Sequence, residues 1–221
     1  MPCYIQNPKH FAVKAISLVN NIYLINDYTY RMPVDVGAGT VYVSLTKGNY
    51  SASALAAELQ SKLTALGVGT FTVNYTSATN KFTFIAPVPW YIEWGDSELN
   101  QTLYEMLGFD KIQYDGSTIP YTIVSPYQAN LTPVKFIDFC SNALGKVVKN
   151  QNMNGNAFYR LYVSNYVYGA EIVYDEKYRR VFDCVKNATF AELDLELRDD
   201  KGRPLLFEAN APVSVLIEFF S

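Results

Sequence analysis

Apolar and polar residues alternate with a period of two near the C-terminus of the chain. Between residues 193 and 198, leucine alternates with Asp, Glu and Arg. Successive side chains of an extended chain point to opposite faces, so this alternation predicts a half-buried antiparallel strand. The predicted core-facing residues are Leu193, Leu195 and Leu197, and the predicted solvent-facing residues are Asp194, Glu196 and Arg198.

The residues that follow predict a turn and a closing strand. Asp199-Asp200-Lys201-Gly202 has the composition of a tight turn, in which Gly202 is free to take a positive φ. Alternating apolar residues then run from Val213 to Phe219 and predict the last strand of the chain.

Other short runs rich in β-branched and aromatic residues predict further strands, and clusters of Pro, Gly and Asn separate most of them. Several short strands with turns between them are typical of an antiparallel β-sandwich or barrel, so the predicted fold is mainly β. The predicted ranges are 11–18, 22–25, 40–45, 121–124, 134–140, 158–166 and 171–174.

One segment departs from this strand pattern. Leucines at helical spacing follow Ser51, a suitable N-cap, and the run closes at Gly67. A hairpin is predicted over 71–84, and a second helix from Ser97 to Gly108. We therefore predict an inserted α-β-β-α unit over 47–109, within a β-sandwich made of 1–46 and 110–221.

The composition is poor in charge and rich in tyrosine. Charged residues make up 18% of the chain, against about 25% in an average protein, while there are 18 tyrosines and 13 phenylalanines. Tyrosine offers broad amphipathic contact area at a low entropic cost, which suits protein interfaces. A net charge of −3 argues against a nucleic-acid coat, and the basic run Lys177-Tyr178-Arg179-Arg180 is interpreted as a solvated turn.

Sequence features of membranes and of oxidising compartments are not found. No apolar stretch approaches the roughly 18 residues that span a bilayer, and no secretory leader pattern follows Met1. Cys3, Cys140 and Cys184 are odd in number and lack the spacing of a zinc site or a disulfide framework. We expect a soluble chain made in the cytosol, without membrane insertion.

Catalytic chemistry has few candidates. His10 is the single histidine, so any histidine-based relay or metal site would have to use it, and no nucleophile motif lies near it. Asp194 and Glu196 fit plain strand alternation better than a glycosidase pair, and Asp199 and Asp200 fit a turn better than a calcium loop. We predict a protein that is not an enzyme, with no cofactor and no metal.

Both tryptophans lie in one cluster, residues 87–94. Trp90, Tyr91 and Trp94 could form a platform for a sugar or a protein partner, because aromatic rings combine apolar area with polar tips. The alternation of Trp90, Ile92 and Trp94 is equally that of a strand that fills the core of the inserted unit, and this spacing favours the core.

Two parts of the sequence resemble one protein family. The first combines Gly48-Asn49-Tyr50-Ser51, the leucine-spaced helix, the hairpin strands 71–75 and 80–84, and Leu107-Gly108-Phe109. It resembles a module of virion proteins from large DNA viruses and virophages. The second, 191–205 with 212–220, is similar to the last hairpin of the penton proteins of these viruses, which are single jelly rolls. The resemblance covers about three quarters of the chain, in strands and turns without a catalytic signature.

This resemblance implies a single jelly roll that works as a penton, or vertex, protein of an icosahedral capsid. Five copies would form a homopentamer at each fivefold position, surrounded by the double jelly-roll major capsid protein and contacting minor capsid proteins. The protein would be located in the virion, without direct nucleic-acid contact. The predicted interface residues are Trp90, Tyr91, Trp94, Tyr121 and Tyr127. The alternatives are a carbohydrate-binding or receptor-binding fibre head, and a related minor capsid protein.

Overall fold

The computed structural model describes residues 5–6, 8–96, 101–132, 134–145, 156–163, 166–175, 181–183, 189–190, 193–206 and 212–220. Strands make up 41% and helices 14% of the structure, and every strand pair is antiparallel. The predicted class, mainly β with antiparallel sheets, is confirmed.

The chain divides into two compact units, residues 1–22 with 134–221 (unit 1) and residues 23–133 (unit 2). The predicted insertion, 47–109, falls wholly within unit 2, which also includes 23–46 and 110–133. In chain order the strands are β1 Ile5–Gln6, β2 His10–Val19, β3 Arg31–Asp35, β4 Thr40–Ser44, β5 Thr72–Thr76, β6 Lys81–Ile85, β7 Tyr91–Glu93, β8 Gln113–Asp115, β9 Thr122–Val124, β10 Phe136–Cys140, β11 Ala157–Tyr162, β12 Glu171–Asp175, β13 Val181–Asp183, β14 Thr189–Phe190, β15 Glu196–Arg198 and β16 Val213–Phe220. The helices are α1 Ala52–Thr64, α2 Leu103–Leu107 and α3 Asn142–Gly145.

Unit 1 contains two larger sheets. In the first, β2 is central and pairs with β16 on one side and with β12 and β13 on the other. In the second, the order is β11-β10-β15. Alternate residues of both sheets enter one apolar core, which is the arrangement of a β-sandwich. Its fully buried members include Phe11, Ile16, Leu18, Ile137, Phe139, Phe158 and Ile172.

The C-terminal strands differ from their prediction in two ways. They do not form a hairpin with each other, because β15 pairs with β10 while β16 pairs with β2. The predicted phase of 193–198 is also wrong at its start, since Leu193 and Leu195 are 44% and 48% exposed. Only Leu197 packs against the core, because the strand itself is limited to 196–198.

The predicted turn at 199–202 is confirmed, and an ion pair reinforces it. Gly202 has a φ of 76°, and its N–H donates to the carbonyl of Asp199 at 3.0 Å. The buried carboxylate of Asp199 accepts from the backbone N–H groups of Lys201 and Arg203, and from the Arg203 guanidinium at 2.8 Å. The carboxylate of Asp199 is therefore hydrogen-bonded within the turn.

Asp194 does not lie on a strand but caps α3. Its carboxylate accepts from the N–H groups of Asn142 and Ala143, at 2.8 and 3.0 Å, and from the Ser141 hydroxyl at 2.9 Å. These bonds, first that from Ala143 and then that from Asn142, hold the pKa of Asp194 well below its usual value. The cap joins the segment before β15 to the first turn of α3, which explains the departure of 193–195 from the predicted strand.

Replacement of this cap gives a prediction with a defined pH dependence. Asp194→Asn is expected to lower the melting temperature near neutral pH, because the amide loses the charge that the N–H groups stabilise. A carboxylate with a depressed pKa in the folded state stabilises above its unfolded pKa, about 3.9, and this contribution is lost as the pH falls towards the folded value. The difference in melting temperature between wild type and variant, measured by calorimetry, should therefore have its largest value at about pH 6 and shrink below about pH 4. A difference that grows on acidification would contradict this role.

Unit 2 contains two sheets and two of the helices. One sheet has the order β4-β3-β7-β8 and the other β5-β6-β9. The predicted first helix is confirmed as α1, and the Ser51 hydroxyl caps it by accepting from the N–H of Ala54 at 3.2 Å. The predicted hairpin is confirmed as β5 and β6, with Thr76 opposite Lys81. Both sheets and both helices contribute to one apolar core.

The second helix ends where it was predicted to end. Gly108 follows α2 with a φ of 83°, and its N–H donates to the carbonyl of Glu105. The start of this helix was predicted too early, because α2 begins at Leu103 and residues 101–102 are not helical; Ser97 itself lies outside the described residues. Between the hairpin and α2 the chain also forms β7 and a single 3-10 turn, Trp94–Asp96, so one strand is added to the predicted α-β-β-α order.

Candidate functional site

The two tryptophans lie in the core of unit 2. Both side chains are fully buried, as is Ile92 between them. Trp90 contacts the ring of Phe71 edge-on, at 5.3 Å between centroids, and Trp94 packs beside Tyr104 and Phe109. The core interpretation, which the alternating spacing favours, is the one that the structure supports, and neither ring is within reach of a sugar or a partner.

The fit around Trp90 is tight. Its indole N–H donates to the backbone carbonyl of Tyr121 at 3.1 Å. Gly116 lies against the same ring, and a Cβ atom added there would be 2.5 Å from the indole nitrogen. The Trp90 site therefore requires glycine at position 116 and fixes the backbone of the 116–121 loop.

Tyr91 and Tyr121 are only half-buried. Tyr91 is on β7, between Asp35 of β3 and Asp115 of β8. Tyr121 packs against the core of unit 2, and its main described role is that of a backbone acceptor for Trp90 and for the N–H of Ala86. Each presents one side to solvent, so each can lie at the border of an interface.

Tyr127 is the predicted interface residue that is well exposed, at 56%. The backbone of its loop is held on both sides: the N–H of Tyr127 donates to Gly108, that of Ala129 donates to Asn80, and Lys81 Nζ donates to the carbonyl of Pro126. Gly108 lies so close that a Cβ atom there would be 2.4 Å from the carbonyl oxygen of Tyr127. Tyr127 is thus an exposed ring on a fixed backbone.

The hydroxyl of Tyr127 interacts with an acidic neighbour. A hydrogen bond to Asp110, assisted by the negative charge of that carboxylate, raises the pKa of Tyr127. The phenol therefore stays neutral and presents an oriented polar tip beside its apolar ring, the form in which tyrosine serves at interfaces.

Other large apolar side chains are exposed on both units, and the sequence patterns did not identify them as a group. They include tyrosines, which bury well at interfaces, and β-branched residues on strand faces. The exposed set is Val41, Tyr42, Ile112, Ile119, Val124, Tyr162, Tyr166, Val167, Tyr168, Val173, Val181, Leu193, Leu195 and Leu216.

The candidate catalytic groups form simple structural contacts. The imidazole Nδ1 of His10 lies 3.0 Å from a carboxylate oxygen of Asp183, on adjacent strands at the surface. Glu196 pairs with the neighbouring Arg198 at 2.9 Å. Within the described ranges, no three His, Cys, Asp or Glu side chains are grouped so that they could hold a metal ion. The basic run 177–180, Cys3 and Cys184 lie outside those ranges.

One buried ion pair occurs on the outer face of the β11-β10-β15 sheet. Arg160 donates through Nε and a terminal nitrogen to both carboxylate oxygens of Asp138, at 2.7 and 2.8 Å. Asp138 is 4% exposed, and the guanidinium lies 3.7 Å from the centroid of the Phe136 ring. The hydrogen bond to Asp138 raises the pKa of Arg160. Sequence reasoning missed this pair, because its partners meet only through the strand register.

Comparison with known proteins finds structural relatives but no sequence relatives. No protein-family model and no curated protein sequence matches the chain. The structure is similar to the penton protein of mavirus, with 10% identity, a TM-score of 0.48, and coverage of 100% of this chain and 91% of that one. It is also similar to a chain of the Sputnik virophage, solved by cryo-electron microscopy, with 15% identity, a TM-score of 0.40, and coverage of 98% and 89%. Both scores are below one half, too low to establish a shared fold by themselves.

No helix in the described part of the chain is long and apolar enough to cross a membrane.

Proposed function

We propose that this chain is a virion structural protein, a single jelly-roll penton that forms a homopentamer at the fivefold positions of an icosahedral capsid. Its partners are further copies of itself, the double jelly-roll major capsid protein and minor capsid proteins. Its place is the virion, after synthesis in the host cytoplasm, and it contributes contact area and no catalysis.

The observation that carries this proposal is Tyr127. A more than half-exposed ring on a backbone that hydrogen bonds already fix loses little entropy when it binds. A cyclic assembly is heterologous, so each subunit needs two different patches. The 125–132 loop supplies one such patch, with Tyr91 and Tyr121 as half-buried residues of the same unit. Trp90 and Trp94 lie in the core of the same unit and stabilise the structure that presents this loop.

The first part of the sequence resemblance supports the same function, because its elements form as predicted, whereas the last hairpin of the second part does not form, since β15 pairs with β10 and β16 with β2. The capped helix α1, the hairpin β5–β6 and the stop at Gly108 are all present. A carbohydrate-binding or fibre-head function is the weaker candidate, since both tryptophans that would stack on a sugar are enclosed. A related minor capsid protein would use the same kind of contacts.

The experiment that tests the proposal removes the Tyr127 ring. Tyr127→Ala is expected to reduce incorporation of the protein into assembled particles several-fold, while it changes the stability of the free chain by less than about 0.5 kcal/mol, as is usual for exposed positions. Incorporation is measured by quantitative mass spectrometry of purified particles, and stability by thermal unfolding of the free protein.

Tyr127→Phe serves as the matched control, because it keeps the ring and removes only the hydroxyl that contacts Asp110. It should be incorporated at close to the wild-type level. Normal incorporation of Tyr127→Ala would exclude the loop from the interface, and particles whose vertices contain no copy of this chain would overturn the proposed function itself.

A further inference from the structure

The outermost strand of one sheet in unit 2, β4, has an open edge. It pairs with β3 on one side, and no described strand pairs with it on the other. Val41 is 39% and Tyr42 43% exposed, and Thr40 and Ser44 are exposed as well. Thr40, Tyr42 and Ser44 therefore form an exposed outer face, while Val43 on the opposite face is buried in the core of unit 2.

The strand register identifies the backbone groups on that edge. The N–H of Leu45 donates to the carbonyl of Tyr30, so Leu45 belongs to a hydrogen-bonded pair with β3. Such pairs alternate along an antiparallel ladder, and Val43 and Val41 therefore also face β3. The N–H and C=O groups of Thr40, Tyr42 and Ser44 point away from the sheet.

The outer edge of β5, in the other sheet of the unit, is closed by side chains of α1. Gln60 accepts from the N–H of Val73 on β5 at 3.0 Å, and Thr64 accepts from that of Phe71 at 3.1 Å. Just after β4, Glu58 accepts from the N–H of Thr46 at 2.8 Å. These bonds satisfy the N–H groups of Phe71, Val73 and Thr46, and among the described residues no side chain bonds to the N–H groups of Thr40, Tyr42 or Ser44.

The sequence of β4 also lacks the residues that prevent exposed edge strands from pairing with other chains. Thr-Val-Tyr-Val-Ser contains no charge, no proline and no glycine, and every residue but serine has a high β-propensity. Soluble proteins commonly place lysine, proline or a bulge on an exposed edge. An uncharged, regular, open edge is a template for another strand.

We propose that β4 is a strand-pairing site for a second copy of this chain, with the two β4 strands antiparallel about a twofold axis at Tyr42. In this register Tyr42 faces the partner's Tyr42, and Thr40 faces the partner's Ser44. All of these are residues whose backbone groups point outward, so the pairing forms up to about six hydrogen bonds without disturbing β3. Val41 comes beside the partner's Val43 and extends the apolar inner face.

Charges on the outer face favour this orientation. At one end of β4 the Thr40 hydroxyl bonds to the Asp96 carboxylate at 3.4 Å, and Asp35 is the cross-strand neighbour of Thr40. At the other end, Ser44 is opposite Arg31. The antiparallel arrangement brings the acidic end of each strand to the basic end of the other, whereas a parallel arrangement would bring like charges together.

The size of the contact sets its strength. Five residues a side bury far less than the roughly 800 Å² per partner of a stable interface, so the dimer of the free protein is weak and appears only at high concentration. The pairing goes beyond the proposed penton function and does not depend on it, because it needs only the open edge of unit 2.

Sedimentation velocity between about 10 µM and about 500 µM tests the pairing, since this range spans weak association constants. The wild-type protein should move from monomer towards dimer across this range. Thr40→Lys/Ser44→Lys should stay monomeric, because each introduced lysine faces a lysine of the partner. Thr40→Lys/Ser44→Glu should recover dimerisation, because opposite charges then face each other in the proposed register. Val124→Lys, at an exposed position of the outer strand β9 in the other sheet of the unit, is the matched control and should associate like wild type.

A second measurement needs no variant. Hydrogen–deuterium exchange of the wild-type protein should show the amides of Tyr42 and Ser44 becoming several-fold slower at high concentration, while those of β9 stay unchanged. A wild type that remains monomeric, a Lys/Lys variant that dimerises, or a Lys/Glu variant that does not recover would each overturn the proposed pairing. Protection of Tyr42 only when a different protein is added would assign the edge to that protein instead.

Discussion

Trp90→Ala is expected to lower the free energy of unfolding of unit 2 by about 3–5 kcal/mol, the range for removal of a large aromatic side chain from a core. The ring is fully buried between Phe71 and Phe84, and its N–H satisfies the carbonyl of Tyr121. Truncation leaves a cavity and removes one of the two hydrogen bonds that the Tyr121 carbonyl accepts, the other coming from the N–H of Ala86. Gly116 packs directly on the ring, so its loop loses support as well.

Urea unfolding followed by far-ultraviolet circular dichroism measures this loss. Tyr127→Ala is the matched control in the same unit, because it removes an aromatic ring from an exposed position and should shift the midpoint little. The urea midpoint of Trp90→Phe should lie between those of Trp90→Ala and Tyr127→Ala, since this variant keeps an aromatic ring but loses the N–H donor. Equal midpoints for Trp90→Ala and Tyr127→Ala would mean that Trp90 does not hold the core.

Asp138→Ala is expected to destabilise unit 1 by about 1–3 kcal/mol, because it leaves the part-buried guanidinium of Arg160 over the Phe136 ring without its counter-charge. Asp138 is nearly fully buried, and both of its oxygens are used by Arg160. We expect the unpaired charge of Arg160 to cause most of the loss in stability, and the missing hydrogen bonds to Asp138 to cause the smaller part.

A double variant separates these two contributions. Asp138→Leu/Arg160→Met replaces the pair with apolar side chains of similar volume, and it should be more stable than Asp138→Ala alone, because no charge is left unpaired. The stabilities of both variants are compared with that of wild type by their urea unfolding midpoints, provided that the dependence of unfolding free energy on urea concentration is the same. A double variant less stable than the single one would show that the pair itself, and not the avoidance of a buried charge, stabilises the sheet.

The elements that follow local rules were predictable. α1 has its cap, its leucine spacing and its terminal glycine within one continuous segment, and the β5–β6 hairpin has alternation on both sides of its turn. The structure confirms both elements. Strand β3 was missed because Pro33 lies at its centre, where a proline argues against a strand. It is tolerated because position 33 does not bond to β4, and β7 pairs only with Val34 and Asp35.

The errors arise where contacts with a segment distant in sequence override the structure that the local pattern predicts. Alternation in 193–198 indicated one strand face, but the carboxylate of Asp194 is bound by the first turn of α3, some fifty residues earlier in the chain. Residues 22–25 were predicted as a strand, and they form only an isolated bridge at Ile25 with Gly48. Trp90 and Tyr127 were both predicted as interface residues from their residue type. The alternating spacing favoured the core for Trp90, but no comparable pattern indicated that Tyr127 is exposed, because burial of aromatic residues depends on which sheets meet.

The connectivity of the chain has a consequence for its synthesis. Strand β2 pairs with β16, so Val13 can pair only after Ile217, roughly 200 residues later along the chain, has been synthesised. Contacts between residues so far apart in sequence form slowly. Residues 23–133, by contrast, are contiguous and can close their core as soon as they leave the ribosome. During most of translation the apolar face of β2, with Phe11, Ile16 and Leu18, is without its partner. We expect this strand to be the part of the nascent chain that depends most on chaperones.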